Sequence, residues 1–256
     1  MKLDQLESII IESGLEIMKF KKNNIIQKKI INNHTKTNID FFADRFIKRE
    51  LNKLKKIPII SEESYNKNTK RPDKYFIIDP IDGTLSLLNN YKTWVTQIAY
   101  IEKGEVLFSA IFEPELNNLY SGCKENGIFY NKNKFSNKKI KNKKITFIDN
   151  TPKPNILNKK LMKFYPESEY LESGSLSLKI CKIIYGLANI FIKNVYVRDW
   201  DIAPPLLLAK LNDVDIFDLS FDRYTLSGSL EKKGLIVCNN QLTKNLKNNF
   251  NSCINL

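Results

Sequence analysis

The stretch YFIIDPIDGTLSL, residues 75–87, decides the fold and raises the question of function. Its apolar start predicts a strand. Because Pro80 cannot donate to a sheet ladder, we expect the strand to end at Asp79 and the chain to turn there. The turn would bring the carboxylates of Asp79 and Asp82 and the carbonyl of Ile81 to one point. Mg²⁺ prefers such oxygen ligands, although an Asx-turn with two solvated aspartates would have the same sequence.

The residues that follow the aspartates extend this hypothesis. Gly83 and Thr84 could offer backbone N–H groups to a phosphate if a helix begins there. The alternative is the haloacid-dehalogenase phosphatase signature, D-x-D-G-T, in which the first aspartate is a nucleophile. Its two aspartates share one face of a strand because they are two residues apart. Here the spacing is three and a proline intervenes, which disfavours an aspartyl nucleophile.

Two further acidic clusters follow predicted apolar strands. PIISEES places Glu62 and Glu63 at the end of a short strand, a natural edge for a site. RDWDIAPP places Asp201 at the predicted start of a helix, where an aspartate is also a common N-cap. Each cluster alone fits a solvated loop or a cap as well as a site. Their occurrence together with the two aspartates of the central stretch favours a metal site built from carboxylates.

Composition narrows the class of protein. The chain has 256 residues, 42% of them hydrophobic and 27% charged, as expected for a soluble globular protein. No stretch approaches the ~20 apolar residues of a membrane span, and acidic residues interrupt the N-terminal apolar pattern, so we expect no secretory signal. Four scattered cysteines predict reduced thiols in a cytoplasmic protein. Peripheral contact with a membrane surface stays open.

The net charge of +13 raises the possibility of a nucleic-acid ligand. The lysines are scattered, however, and no RRM, zinc-knuckle or helix-turn-helix pattern occurs, so we expect no nucleic-acid polymer as partner. A positive field would still help to gather anionic small molecules. The single histidine, His34, lies in a polar stretch and excludes a multi-histidine zinc site. Carboxylates and hard cations must therefore carry any catalysis.

The periodicity of the hydrophobic residues, and the turn residues between the apolar runs, predict a mixed α/β chain. Helices are predicted over residues 3–20, 38–55, 175–186 and 201–211. Strands are predicted over residues 57–60, 75–78, 94–101, 106–112, 119–122, 188–192, 214–217 and 235–238. The polar, lysine-rich stretch 131–144 marks a boundary or a long loop. We therefore expect two subdomains, residues 1–135 and 136–256.

Three motifs together resemble the inositol monophosphatase-like superfamily of magnesium-dependent, lithium-sensitive phosphatases. They are SEES, DPIDGT and WDIAP, and TNID at residues 37–40 resembles the T-x-x-D element of that superfamily. The similarity spans residues 3 to about 238. It implies a layered α-β-α-β-α sandwich of two subdomains with the site between them. It also implies two to three Mg²⁺ ions and a homodimer as the usual assembly.

The resemblance also implies roles for individual residues. The residues that match the metal ligands of the superfamily are Glu62, Asp79, Asp82 and Asp201, with the carbonyl of Ile81. Those matching the groups that orient the attacking water are Glu62, Thr84, Thr37 and Asp40. Asp82, Gly83 and Thr84 would also contact the substrate. The implied reaction is hydrolysis of a phosphate monoester by activated water, without a phosphoenzyme.

Within the superfamily, details favour the 3'(2'),5'-bisphosphate nucleotidase branch, which includes the CysQ type. GSLSLKIC, residues 174–181, resembles the G-S-S-L-K segment of that branch, which implies that Ser175 and Lys179 contact substrate. Lys193 lies in a basic stretch that suits a second phosphate. GSLSLK has one residue more than the pattern, and LSLL replaces the usual K-E-F after DPIDGT. An inositol, sugar or histidinol phosphatase, and a non-catalytic regulatory relative, therefore remain alternatives.

Overall fold

The computed structural model describes residues 1–31, 34–66, 68–135 and 144–254. The helices are α1 (Leu3–Asn23), α2 (Asn38–Leu54), α3 (Thr84–Leu88), α4 (Ile156–Met162), α5 (Leu176–Ile184), α6 (Asp199–Lys210) and α7 (Thr243–Ile254). The strands are β1 (Lys28–Ile31), β2 (His34–Thr37), β3 (Ile59–Ser61), β4 (Lys74–Asp82), β5 (Val95–Glu102), β6 (Glu105–Glu113), β7 (Asn118–Cys123), β8 (Gly127–Tyr130), β9 (Asn133–Phe135), β10 (Thr146–Asp149), β11 (Glu169–Glu172), β12 (Ile190–Arg198), β13 (Val214–Phe217) and β14 (Glu231–Asn239).

Two large sheets carry the fold. The first has seven strands in the order β3-β4-β5-β6-β7-β8-β9, and only its β3–β4 pair is parallel. The second has five strands in the order β11-β10-β12-β14-β13, with β10 parallel to both of its neighbours. Strands β1 and β2 form a separate hairpin ahead of α2. The consecutive order of the first sheet explains its antiparallel pairing, since short connections join neighbouring strands.

Helices cover both faces of each sheet. Helices α1 and α2 pack on one face of β4 through a cluster that includes Ile10, Ile47, Phe76 and Ile78. The alternate residues of β4, such as Ile77, join a second cluster with α5, α6 and the other sheet. Helices α4 and α7 cover the outer face of the second sheet. The layers therefore run α-β-α-β-α, which confirms the predicted fold class.

The continuous apolar runs of the sequence have a direct explanation in this layering. A strand with helices on both faces needs apolar residues at successive positions, not at alternate ones. Residues 75–78 of β4 are accordingly all buried. The predicted helices 3–20 and 38–55 correspond to α1 and α2 within three residues at each end. Among the described residues, no helix is both long and apolar enough to cross a bilayer.

The expectation that Pro80 ends its strand is wrong. Strand β4 continues to Asp82, and the register passes from Asp79 opposite Gln97 to Asp82 opposite Val95. One extra residue on β4 therefore forms a bulge, and Pro80 lies in it, where a missing N–H leaves no gap in the ladder. The bulge, not a turn, changes the direction of the side chains between Asp79 and Asp82.

Most of the predicted boundary at residues 131–144 lies outside the described residues, because residues 136–143 are not among them. Residues 133–135 form β9, which extends the first sheet by a hairpin. The division into subdomains 1–135 and 136–256 stays a prediction. All four cysteines are unpaired and buried, as expected for reduced thiols.

Candidate active site

The end of β4 presents the central motif. Asp79 is buried, and the N–H of Ile81 donates to its Oδ1 at 3.0 Å. Gly83 follows with φ of +96°, and a Cβ there would lie 3.2 Å from the carbonyl oxygen of Thr93. Only glycine combines this backbone angle with so close an approach. The chain can therefore pass directly from the bulge into α3.

Thr37, Asp40 and Thr84 meet although more than forty residues separate the last two. The N–H and hydroxyl of Thr37 donate to Asp40 Oδ2 at 2.7 and 2.6 Å. The hydroxyl of Thr84 lies 3.2 Å from both Asp40 Oδ1 and the carbonyl oxygen of Ile81. Burial raises the pKa of Asp40, and the Thr37 hydrogen bonds oppose the rise. The structure thus brings together three of the four residues predicted to orient water.

Four carboxylates converge beside this group. Burial raises the pKa of Asp79 well above its usual range, and the charges of Glu62, Asp82 and Asp201 raise it further. Burial and the neighbouring Glu63 raise the pKa of Glu62 to about 7. Burial also raises the pKa of Asp201 well above its usual range, followed by the charges of Asp82 and Glu62. The structure therefore places all four predicted acidic ligands in one electrostatic cluster.

The carboxyl groups of Glu62 and Asp79 face each other, and their interaction raises the pKa of Asp79. A proton kept by this cluster would relieve the charge repulsion, which is also what a bound cation would do. The donor set, carboxylates with a backbone carbonyl, fits hard divalent cations such as Mg²⁺ in kind and in charge.

The carboxylates are not yet arranged as a coordination shell. In the part of the chain that the structure describes, no three acidic, histidine or cysteine side chains stand ready to hold an ion together. Several of their oxygens accept internal hydrogen bonds instead. Asp82 accepts from the hydroxyl of Ser175 at 2.6 Å and from the N–H of Ser177 at 2.8 Å, and Asp201 accepts from the N–H of Arg198 at 3.0 Å. Metal binding would require these side chains to reorient.

Three of the residues predicted to contact substrate, Ser175, Lys179 and Lys193, make their polar contacts within the protein. Ser175 caps α5 and donates to Asp82. The Nζ of Lys179 is buried and donates to the carbonyl oxygens of Ser173 and Gly174 at 3.1 and 2.9 Å. Burial lowers the pKa of Lys179 to about 8. Lys193 forms an ion pair with Asp149 at 2.9 Å. Both ammonium groups hold the protein's own oxygens, so their contact with a substrate stays a prediction.

A cavity of about 700 Å³ opens beside the carboxylates. Its lining comprises Glu62, Gly83, Thr84, Leu85, Ser86, Asn89, Tyr91, Lys92, Thr93, Asn150, Pro152, Glu172, Ser173 and Gly174. Tyr91 and Leu85 are 62% and 63% exposed although both are large and apolar.

The sequence analysis missed Tyr91 and Lys92. An aromatic residue in the polar stretch NNYKT, directly after the metal motif, was the available signal.

Sequence reasoning also missed Lys36, which precedes the Thr37 element. Its Nζ lies 3.1 Å from Glu63 Oε2 and 3.2 Å from the carbonyl oxygen of Glu62. This contact separates the roles of the two adjacent glutamates. Glu63 is engaged in an ion pair, whereas the carboxyl of Glu62 is turned towards Asp79.

Comparison with known proteins shows the family and the fold. The sequence model of the inositol monophosphatase family matches residues 5–252. The 3'(2'),5'-bisphosphate nucleotidase CysQ of Haemophilus influenzae is 26% identical over 235 residues, which is 87% of this chain and 86% of that protein. The solved structure of the Thermotoga maritima IMPase has a TM-score of 0.83 at 22% identity and covers 99% of this chain and 98% of its own.

A second solved structure is an IMPase/NADP phosphatase complexed with NADP and Ca²⁺. It has a TM-score of 0.83 at 20% identity and covers 97% of this chain and 96% of its own. At such identities the structural likeness shows the fold. The family match extends over nearly the whole sequence and includes every residue of the site described above. This chain belongs to the inositol monophosphatase family.

Proposed function

We propose that this protein is a divalent-metal-dependent phosphate monoester hydrolase, and that its substrate is a 3'(2'),5'-bisphosphate nucleotide. The observation that carries the proposal is the convergence of Glu62, Asp79, Asp82 and Asp201 beside the Thr37–Asp40–Thr84 group, at the wall of an open cavity. Structural ion pairs alone do not account for Asp79 and Asp201, whose pKa values are raised by burial and by the charges of Glu62 and Asp82. Such clusters favour a functional site.

The four carboxylates and the carbonyl of Ile81 are the groups that would hold two to three Mg²⁺ ions. Bound magnesium would offset the charge of the phosphate and lower the pKa of a coordinated water. Glu62 lines the cavity, where its carboxylate can accept a hydrogen bond from a water. Asp40 accepts hydrogen bonds on both oxygens and so fixes the direction of the Thr84 hydroxyl. Glu62 and Thr84 would together orient a water for attack on phosphorus.

The shape of the cavity supports a nucleotide more than a simple sugar phosphate. A site for one inositol phosphate needs polar groups on all sides, whereas this cavity has an exposed apolar wall at Leu85 and Tyr91. An exposed aromatic ring provides a stacking surface for a base. Lys92, next to it, supplies a cation for a second phosphate. The CysQ relative and the NADP complex in the same fold support this choice.

The first experiment measures phosphate release with Mg²⁺, with and without lithium. The substrates are 3'-phosphoadenosine 5'-phosphate, inositol 1-phosphate and fructose 1,6-bisphosphate. We expect a preference for the adenosine bisphosphate and inhibition by lithium. A preference for inositol or the sugar would keep the hydrolase and overturn the substrate assignment. No turnover on any of them, with Mg²⁺ still bound, would favour the non-catalytic alternative.

A pair of variants tests the apolar wall. Tyr91→Ala should raise the KM for the adenosine bisphosphate about tenfold, since stacking on an aromatic ring contributes roughly 1–3 kcal/mol. The KM for inositol 1-phosphate should stay within about twofold, because that substrate has no base to stack. Tyr196→Ala, which removes a similarly exposed ring from β12, is the matched control. Equal effects of both variants on both substrates would argue against a base-binding wall.

A further inference from the structure

A second set of contacts lies behind the metal site and joins two distant segments of the chain. Arg71, ahead of β4, reaches the start of α6. Its Nε donates to Asp199 Oδ2 at 2.9 Å, and one terminal nitrogen donates to the carbonyl oxygen of Ser229 at 2.9 Å. The other terminal nitrogen donates to the carbonyl oxygen of Gly228. The guanidinium therefore binds three separate oxygen acceptors.

Both carboxylate oxygens of Asp199 accept hydrogen bonds in this set of contacts. It is wholly buried, and its other oxygen accepts from the hydroxyl of Tyr224 at 2.9 Å. Its N–H donates to the carbonyl oxygen of Leu230 at 2.9 Å. The motif RDWD thus contains two aspartates with different roles. Asp201 belongs to the carboxylate cluster, whereas Asp199 pairs with Arg71 on the opposite side of Trp200.

A ring contact reinforces the same junction. Tyr65 packs on Trp200 with centroids 4.9 Å apart. Tyr65 and Arg71 both follow Glu62 closely in the chain, and Trp200 and Asp199 both adjoin Asp201. The segment that carries one acidic ligand is therefore fastened at two points to the helix that carries another. We call Arg71, Asp199, Tyr65 and Trp200 the clamp.

We propose that Arg71 is a positioning residue for the metal site, which acts through Asp199 and Trp200 to fix the separation of Glu62 and Asp201. The inference rests on the proposed function, since it assumes that these carboxylates bind Mg²⁺. A multidentate arginine suits this role, because its planar fork fixes direction as well as distance. Groups that orient metal ligands from behind typically change metal affinity 10- to 100-fold when they are removed.

The test is the affinity of the metal-free protein for Mg²⁺, measured by isothermal titration calorimetry. The main variant is Arg71→Gln combined with Asp199→Asn, which removes the ion pair without leaving a buried charge unpaired. We expect its Kd for Mg²⁺ to rise roughly tenfold. Its phosphatase activity should fall at low Mg²⁺ and recover as Mg²⁺ is raised about tenfold. Arg71→Lys should lie between the variant and the wild type, since it keeps the charge but loses the fork.

Arg49→Gln is the matched control, because the Arg49 side chain is 60% exposed on α2 and forms its ion pair with the neighbouring Glu50. A variant with a lower Tm but an unchanged Kd for Mg²⁺ would overturn the clamp and leave a purely structural ion pair. Activity that does not recover at high Mg²⁺ would do the same. A wild-type protein that binds no Mg²⁺ would overturn the proposed metal site and the clamp with it.

Discussion

Glu62 shows at the scale of one residue how the protein tolerates clustered negative charge. Its carboxyl lies among other acids, and burial with the neighbouring Glu63 raises its pKa to about 7. At that pH the unfolded chain would already have lost the proton that this folded cluster shares. The metal-free site is therefore proton-rich, and a divalent cation must displace protons when it binds.

This displacement predicts a pH dependence for metal-free stability. The folded-state pKa of Glu62 lies above its unfolded value of about 4.5, so the folded state binds more protons between these values. Metal-free stability should therefore fall as pH rises from about 5 to above 7. Asp79 and Asp201 shift in the same direction. We expect a lower Tm at pH 8 than at pH 6 without metal, and a larger gain from Mg²⁺ at pH 8. An equal Mg²⁺ gain at both pH values would contradict the shared proton.

Asp82→Asn tests the carboxylate cluster directly. The amide keeps the shape and can still accept from Ser175, but it loses a charge and one acceptor oxygen. Turnover should fall on the order of 10³-fold, as is typical when one electrostatic group of a preorganised site is removed. Asp73→Asn, an exposed aspartate ahead of β4, is the control and should keep full activity. Near-normal turnover of Asp82→Asn would rule out this site.

The element that organises the site is β4 with its bulge. The bulge lets Asp79 and Asp82 both contribute to one cluster although they are three residues apart in a strand. Gly83 then precedes α3 in a left-handed conformation, and a Cβ there would lie 3.3 Å from the Cα of Trp94. The connection from strand to helix is therefore compact and rigid, which holds Asp82 and Thr84 in fixed relation.

Gly83→Ala should damage this connection. A side chain at its positive φ costs roughly 1–2 kcal/mol, and the close contact with residues 93–94 adds to that cost. We expect a loss of about 2–3 kcal/mol in the free energy of unfolding, with a large loss of turnover. Gly186→Ala is the matched control, because Gly186 has φ of +79° but nothing within 4 Å. Urea unfolding should show a clearly smaller loss for Gly186→Ala, and equal losses would mean that the close approach is unimportant.

The elements also show which features a sequence can reveal. Buried runs such as 75–78 and the amphipathic pattern of α2 follow from hydrophobic burial, so both were predictable. The acidic cluster was predictable because its members follow such runs. The bulge at Pro80 was not, since proline signals a strand end as readily as a bulge. The contacts of Lys179 and Arg71 depend on where distant loops meet, and no local pattern contains that information.

At the scale of the whole molecule, the two sheets share one apolar layer. Helices α5 and α6 supply residues such as Leu178 and Ile202, which pack against both the first and the second sheet. Among the described residues, the inner face of the first sheet, with Ile77 and Ala99, is therefore covered mainly by residues from the second half of the chain. Neither half can bury its own apolar surface alone.

This sharing predicts that residues 1–135 do not fold as an independent unit. Expressed alone, the fragment should aggregate or expose apolar surface, since its inner sheet face has no cover. Binding of the dye ANS and side-chain NMR dispersion would measure this. Adding residues 136–256 in trans should restore dispersion if the shared layer is the cause. A well-dispersed spectrum of the isolated fragment would instead support two autonomous domains.

The placement of the two tryptophans gives the molecule a built-in optical readout. Trp94 packs beside Gly83, and Trp200 stands between Asp199 and Asp201, so each indole adjoins one of the metal motifs. The chain has two tryptophans in total, and both are fully buried. Emission excited selectively from tryptophan therefore originates beside the candidate site. Ligand binding can consequently be followed by fluorescence on the unlabelled, unmodified protein, with Trp94→Phe and Trp200→Phe separating the two sources.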